Sequence, residues 1–195
     1  MVNVDNIVKT LNVKGSVAAI KTDTVYGFVC NAFDESAVKK IYELKNRDSN
    51  KPLLIFIKSI DEIIKYVDES NLTDETFEIM NKYWPGCLTI IFRKKDNSLN
   101  HLLANSQDIG IRISNDEVIK AILEKVDYPL TQTSCNLSNE EPLCDYDSIM
   151  KKFCSKVDLV VDGGIVTDNI PSTIISVASG DIKVLRNGKV QFEKR

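Results

Sequence analysis

Histidine is nearly absent from this chain. His101 is the only one in 195 residues, so a Ser-His-Asp or Cys-His catalytic set would have to rest on it alone. It lies in the polar stretch Ser98-Leu99-Asn100-His101, which reads as a loop where a histidine is more often solvated than catalytic. The same scarcity disfavours zinc sites built from histidine and cysteine. Five cysteines, at 30, 87, 135, 144 and 154, show no Cys-x-x-Cys spacing. The start Met1-Val2-Asn3-Val4-Asp5 has neither the basic residues nor the apolar core of a leader, so free thiols in a cytoplasmic setting are expected. No window reaches the ~18 apolar residues of a membrane span, so no membrane partner is expected. Neither GxxxxGK[ST] nor GxGxxG occurs, which removes both common glycine-rich phosphate loops. With eight glycines and five prolines there is no interdomain linker, and one domain over residues 1–195 is expected. Net charge is −3, from 25 basic and 28 acidic residues. Any anion site must therefore be a local gathering of cations.

Strand-like and helix-like segments alternate along the chain. Asp5 to Val13 reads as a short amphipathic helix and Ser16 to Ile20 as a strand. Asp34 can cap a helix to about Lys45, with Ala37, Ile41 and Leu44 on one face. Residues 53–57 form an apolar strand, and Ser59 with Glu62 has the pattern of a capping box opening a helix to about Val67. Thr73 starts a helix that Trp84-Pro85-Gly86 stops, with Trp84 expected as a core anchor. Leu88–Phe92 and Ile109–Ile113 are strand-like, and Ser114 with Glu117 offers a second capping box. Val157–Val161 is apolar and β-branched. Ser172–Ala178 and Asp181–Leu185 flank the turn Ser179-Gly180, and Asn187-Gly188 is a further turn signal. These patterns imply an α/β protein with a mixed parallel and antiparallel sheet.

Five constellations carry candidate chemistry. Lys45, Arg47 and Lys51 crowd three cations into seven residues between a helix and a buried strand. An arginine fork and lysine point charges suit phosphate or carboxylate, although cations at a helix C-terminus also favour the macrodipole and Asp48 could pair with one of them. Lys21 to Gly27 leaves a strand end rich in hydroxyls, where open α/β sheets place ligands, although taken alone the segment reads first as a solvated turn whose Thr and Asp bond their own backbone. Thr133 to Asn139 reads as a hydroxyl- and amide-rich loop. Cys135 within it reads as a small space-filling residue. Arg112, inside the β pattern Gly110-Ile111-Arg112-Ile113, needs a buried anion partner unless it points outward. Ser172 and Thr173 open a late strand, and Arg186 closes the hairpin it begins.

Taken in order, Thr-Asp-Thr-Val-Tyr-Gly (22–27), Lys-x-Arg (45–47), Lys-Pro-Leu (51–53), Trp-Pro-Gly-x-Leu-Thr (84–89), Ile-Gly-Ile-Arg (109–112), Ser-x-Asn (134–136) and Pro-Ser-Thr-Ile (171–174) closely resemble the threonylcarbamoyl-AMP synthase family, the YrdC-like domain. The likeness runs from about residue 5 to 190 and fits the short form with a single catalytic domain. It implies a twisted mixed sheet flanked by helices around a deep, positively charged cleft. It implies a nucleotidyltransferase: L-threonine, bicarbonate or CO2, and ATP with Mg2+ would give threonylcarbamoyl-AMP and pyrophosphate. That product would serve threonylcarbamoyladenosine modification of tRNA by a downstream tRNA threonylcarbamoyl transferase complex.

Carried over by position, Lys45 and Arg47 would be catalytic. They would bind ATP together with Lys51, Ser134, Asn136, Ser172, Thr173 and Arg186. Thr24, Tyr26, Arg112 and Thr133 would line the threonine side. No direct protein ligand for a metal is assigned. The chain departs from the family pattern at Lys21, Asp48, Cys135 and Asn139, the last in a place that calls for a left-handed turn, which asparagine tolerates. Two other readings stay open at this point: an RNA-binding module, with weak tRNA binding in the cleft, and a divergent carbamoyl-transfer paralogue on the same fold.

Overall fold

The computed structural model describes residues 2–193. Its strands, in chain order, are Ala18–Lys21 (β1), Tyr26–Asn31 (β2), Leu54–Phe56 (β3), Leu88–Arg93 (β4), Asp108–Arg112 (β5), Leu130–Ser134 (β6), Leu159–Val160 (β7), Thr173–Ser176 (β8) and Lys183–Arg186 (β9). All nine join one sheet in the order β7-β1-β2-β6-β3-β5-β4-β8-β9. The pairs β1–β7, β3–β5 and β4–β8 are parallel and the rest antiparallel. The mixed sheet expected from the sequence is present.

Helices form where local capping and spacing demand them. Val4–Leu11 (α1) starts at Asn3, whose side chain accepts from the Asn6 amide. Glu35–Lys45 (α2) is capped by Asp34, which accepts from the Ser36 and Ala37 amides, and ends on Asn46 at φ 47°. Asp74–Tyr83 (α3) is capped by Thr73. Asn100–Leu103 (α4), Glu117–Leu123 (α5) and Tyr146–Phe153 (α6) complete the set among the described residues.

Several expectations are corrected. Ser59 makes no capping bond, and Ile60–Lys65 is a 3-10 helix; the Glu62 carboxylate accepts from the Lys58 amide and from Lys65 instead. Asp116, not Ser114, caps α5, because the Ser114 hydroxyl is turned to Asp23. The stretch Thr133–Asn139 is not all loop, since β6 runs to Ser134. β2 was not anticipated, and neither was α6. His101 lies in α4 and is mostly buried, with Nε2 at 2.8 Å from the Ala32 carbonyl. Trp84 is a core anchor as expected: it is buried and its indole N–H donates to the Leu88 carbonyl at 2.7 Å. Asn139 adopts the left-handed conformation at φ 70°.

The sheet faces are unequal. On one, α2, α3, α4 and α6 pack on Phe28, Ile55, Ile90, Phe92, Ile111 and Ile175 in the main core. On the other, α1 and α5 bring Ile7, Leu11, Ile119 and Ile122 onto Ala18, Ile20, Val29, Phe56 and Leu130. That second cover reaches only part of its face. The remainder is open.

Candidate active site

The open part of the face is the floor of a cavity of about 380 Å3. Its floor residues recur at every second position: Thr89 and Ile91 on β4, Gly110 and Arg112 on β5, Gln132 and Ser134 on β6, Ile174 and Ser176 on β8. Strand periodicity thus places the ligand-facing residues opposite the core-facing ones. Arg47, Pro52 and Leu53 stand at one wall, and Pro171, Leu185 and Arg186 at another. A larger open groove of about 970 Å3, beside Leu11, Asp34 and His101, contains none of the candidate residues.

Arg112 is buried and does have the anion partner its position demanded. Its Nη2 lies 2.6 Å from the Asp23 carboxylate, Nε donates to the Gly86 carbonyl at 2.8 Å, and Nη1 donates to Thr24 Oγ1 at 3.3 Å. The Phe56 ring lies beneath the guanidinium at 5.5 Å. Asp23 is held in turn by the Ser114 hydroxyl at 2.8 Å and the Asn115 amide at 3.0 Å. A buried charge needs this complement of partners to be tolerated. Sequence reasoning named Thr24 and Arg112 but missed Asp23; its signal was an acid beside Thr24, with nothing local to tie it to Arg112.

Lys45 is 2% exposed and turned inward. Its ammonium donates to the Ser134 carbonyl, to the Asn136 carbonyl at 2.9 Å and to Asn136 Oδ1 at 2.8 Å. Burial lowers its pKa to about 8. Ser134 Oγ donates to the same Asn136 oxygen at 2.6 Å, while the Asn136 amide donates to the Leu137 and Glu140 carbonyls. The Lys-x-Arg and Ser-x-Asn segments are therefore brought together, with Lys45 shaping the turn that presents Ser134 to the cavity. Cys135 inside this turn is fully buried, and desolvation pushes its thiol well above the ordinary range, so it carries no thiolate near neutral pH.

Arg47 lines the cavity and donates from Nε to the Lys51 carbonyl at 3.2 Å and from Nη2 to the Pro52 carbonyl at 3.0 Å. It forms no ion pair with Asp48, which accepts from the Asn50 amide instead. Across the cavity, Arg186 donates to the Ser172 carbonyl at 2.7 Å and to its hydroxyl at 3.2 Å, and that hydroxyl lies 2.9 Å from Thr89 Oγ1. Burial and then the neighbouring Arg112 charge lower the Arg186 pKa. Thr133 also lines the space.

Five candidates stand away from the lining: Lys45 and Asn136, which meet in the turn behind Ser134, and Tyr26, Thr173 and Lys51. Tyr26 donates to the Gly164 carbonyl at 2.7 Å and accepts from the Gly163 amide, tying the 162–170 segment to β2. Thr173 is buried on the far face, where its hydroxyl accepts from the Gly188 and Val190 amides. Gly188 is required there because a Cβ would lie 2.4 Å from the Pro171 carbonyl. Lys51 contributes its carbonyl oxygen, to Arg47 and Tyr42, while its side chain is exposed.

The family described as "Telomere recombination", that of Sua5, YciO and YrdC, matches residues 11–188. The chain belongs to this family. Within the Sua5/YciO/YrdC proteins it is 38% identical over 180 residues to a Methanocaldococcus jannaschii protein named "Putative threonylcarbamoyl-AMP synthase", covering 92% of this chain and 83% of that one. The structure of P. abyssi Sua5 complexed with L-threonine superposes with a TM-score of 0.88 at 26% identity, over 95% of this chain. The chain spans only 54% of that longer protein. E. coli YciO superposes at 0.83 with 25% identity, over 95% of this chain and 88% of YciO.

Proposed function

We propose that this member of the family is a threonylcarbamoyl-AMP synthase, with the cavity over β6-β3-β5-β4-β8 as its active site. One observation carries the reading. Arg47 and Arg186 line the same space with only carbonyls and a hydroxyl for partners, and among the described residues neither has an ion-pair partner. Arg112 is already matched by Asp23. Two guanidiniums without a contact ion pair, in a recess lined by small hydroxyl residues, suit a polyanion such as a triphosphate.

The reaction would begin with a neutral threonine amine adding to CO2; the new N–C bond forms and one proton leaves, giving a carbamate. A carbamate oxygen then attacks the α-phosphorus of ATP, the bond to the β-phosphate oxygen breaks, and pyrophosphate departs. No enzyme-bound covalent intermediate is required, so positioning and charge neutralisation do the catalysis. In this reading Arg47, with Lys51 nearby, neutralises the pyrophosphate. Lys45 holds the Ser134–Asn136 turn at the nucleotide, Ser172 and Arg186 hold its far side, and Thr173 supports them from beneath. Thr24, Thr133 and the Arg112–Asp23 pair would face threonine, with Tyr26 fixing the neighbouring segment.

Mg2+ fits as the companion of ATP. Among the described residues no three His, Cys, Asp or Glu side chains gather as ligands, so phosphate oxygens are the natural donors for a hard cation here. The product would be an acyl-phosphate-type anhydride that water destroys, so it needs a prompt acceptor; a tRNA threonylcarbamoyl transferase complex in the cytoplasm is the consumer this reading assigns. No helix among the described residues is long and apolar enough to cross a membrane. Weak tRNA contact would show as a steep loss of binding with added salt.

The test is pyrophosphate release by the purified protein with Mg2+–ATP, L-threonine and bicarbonate, each omitted in turn, with the adenylate identified by mass spectrometry. Release that needs all three is expected. Release indifferent to threonine or bicarbonate would overturn the reading.

A further inference from the structure

Gln132 is a polar residue without a task inside the protein. The residue is 6% exposed, and among the described residues its side-chain amide makes no hydrogen bond, while its amide atoms keep some accessible surface. What little surface it keeps opens on the cavity it lines. An amide that bonds nothing in the protein and opens on the cavity is free to bond whatever fills it, water or ligand.

Its placement is narrow. The side chain lies over Gly27 of β2, where an added Cβ would sit 2.2 Å from Gln132 Nε2, 2.8 Å from Cγ and 2.9 Å from Cδ. Gly27 pairs with Ser134 in the β2–β6 register and follows Thr24 by three residues. The carboxamide is thus aimed at the gap between Ser134, on the nucleotide side, and Thr24 with Arg112, on the threonine side. In the synthase reading the atoms that would fill this gap are carbamate and α-phosphate oxygens, all of them anionic acceptors.

We propose that Gln132 is a substrate-contacting residue whose amide N–H donates to an anionic oxygen at the junction of the carbamate and the α-phosphate, with Gly27 present to leave it room. This rests on the synthase reading above. A donor to oxygen that gains charge as the O–P bond forms strengthens in the transition state, so its loss appears mainly in kcat.

The experiment compares Gln132→Ala, Gln132→Met, Gln132→Glu and Gly27→Ala by steady-state pyrophosphate release. Gln132→Ala and Gln132→Met are expected to lower kcat about 10-fold or more, with KM for ATP and threonine within about 2-fold, as for loss of one charge-assisted hydrogen bond. Gln132→Glu, equal in shape but anionic, is expected to be slower than both. Gly27→Ala is expected to reproduce the Gln132→Ala loss. Added to Gln132→Ala it is expected to cost little more, since the three nearest atoms to the new methyl all belong to the removed side chain.

Wild-type release independent of threonine and bicarbonate defeats the synthase reading. Intact wild-type chemistry with Gln132→Met near normal, or with Gln132→Glu faster than Gln132→Ala, overturns this inference alone. Additive losses from Gly27→Ala and Gln132→Ala overturn it as well.

Discussion

Under α1 and α5 the sheet face is built from Ala18, Ile20, Val29, Phe56 and Leu130. A short way along the same strands and on the same side, Val29 gives way to Gly27, and Leu130 to Gln132 and Ser134. The two halves share strands β2 and β6. Their residues differ because one half has a helical lid to bury against and the other must hold water or ligand. Apolar side chains repay burial in the first half, while in the second small and hydroxyl residues leave volume and offer hydrogen bonds. A binding site in this fold is therefore the part of a core face that no helix covers.

The comparison can be broken most forcefully at the buried Arg112–Asp23 pair. Asp23→Ala leaves the Arg112 guanidinium in the open half without its carboxylate, and is expected to cost about 3–5 kcal/mol of stability. An unfolding free energy from denaturant titration close to wild type would show that the ion pair does not hold the site together. In the covered half, Ile122→Ala empties space under α5 and should lower stability by about 2–5 kcal/mol. There KM and kcat should stay near wild type; an altered KM would mean the halves are coupled.

Arg47→Ala sharpens the contrast from the other side. Turnover is expected to fall at least ~10²-fold through lost leaving-group stabilisation, with little change in melting temperature. Near-normal turnover in the folded variant would remove Arg47 from the catalytic set.

The pH dependence separates structure from chemistry at Lys45. Burial sets its folded pKa at about 8, below the ~10.4 of an unfolded lysine. Between these values the folded state binds fewer protons than the unfolded one, so the contribution of this group to stability rises with pH across that window. The neutral amine keeps only two of the three donors that hold the Ser134–Asn136 turn, so KM for ATP is expected to rise as pH passes about 8. Profiles of KM and of unfolding free energy that both rise with pH above about 8, binding weakening while the fold gains, check the assignment; a KM flat from pH 7 to 9 would refute it. The smallest effect is expected from Cys135→Ala, which should keep activity because the buried thiol only fills space. A folded but inactive variant would return Cys135 to consideration as a nucleophile.

Much of the helical architecture was legible. Asp34, Thr73 and Asn46 act on amides or carbonyls within five residues of themselves, so α2 and α3 emerge with nearly the expected ends. Strands β2 and β6 were not legible. Tyr-Gly-Phe-Val-Cys-Asn and Leu-Thr-Gln-Thr-Ser lack apolar alternation because one of their faces passes from covered core to open floor partway along. The capping boxes at Ser59 and Ser114 failed for a related reason, since Glu62 and Ser114 found stronger partners than the helix start.

By itself the sequence determined the family motifs, the mixed α/β class and the cations that gather around 45–51, because these depend on residue type and short spacing. Only the tertiary structure decided that Arg112 belongs to Asp23, that Lys45 serves the Ser134–Asn136 turn, and that Gln132 faces the cavity while Thr173 does not. Lys45 and Asn136 are 91 residues apart, and Thr24 and Arg112 are 88. Partnerships across such separations are set by strand order and register, which no local pattern encodes.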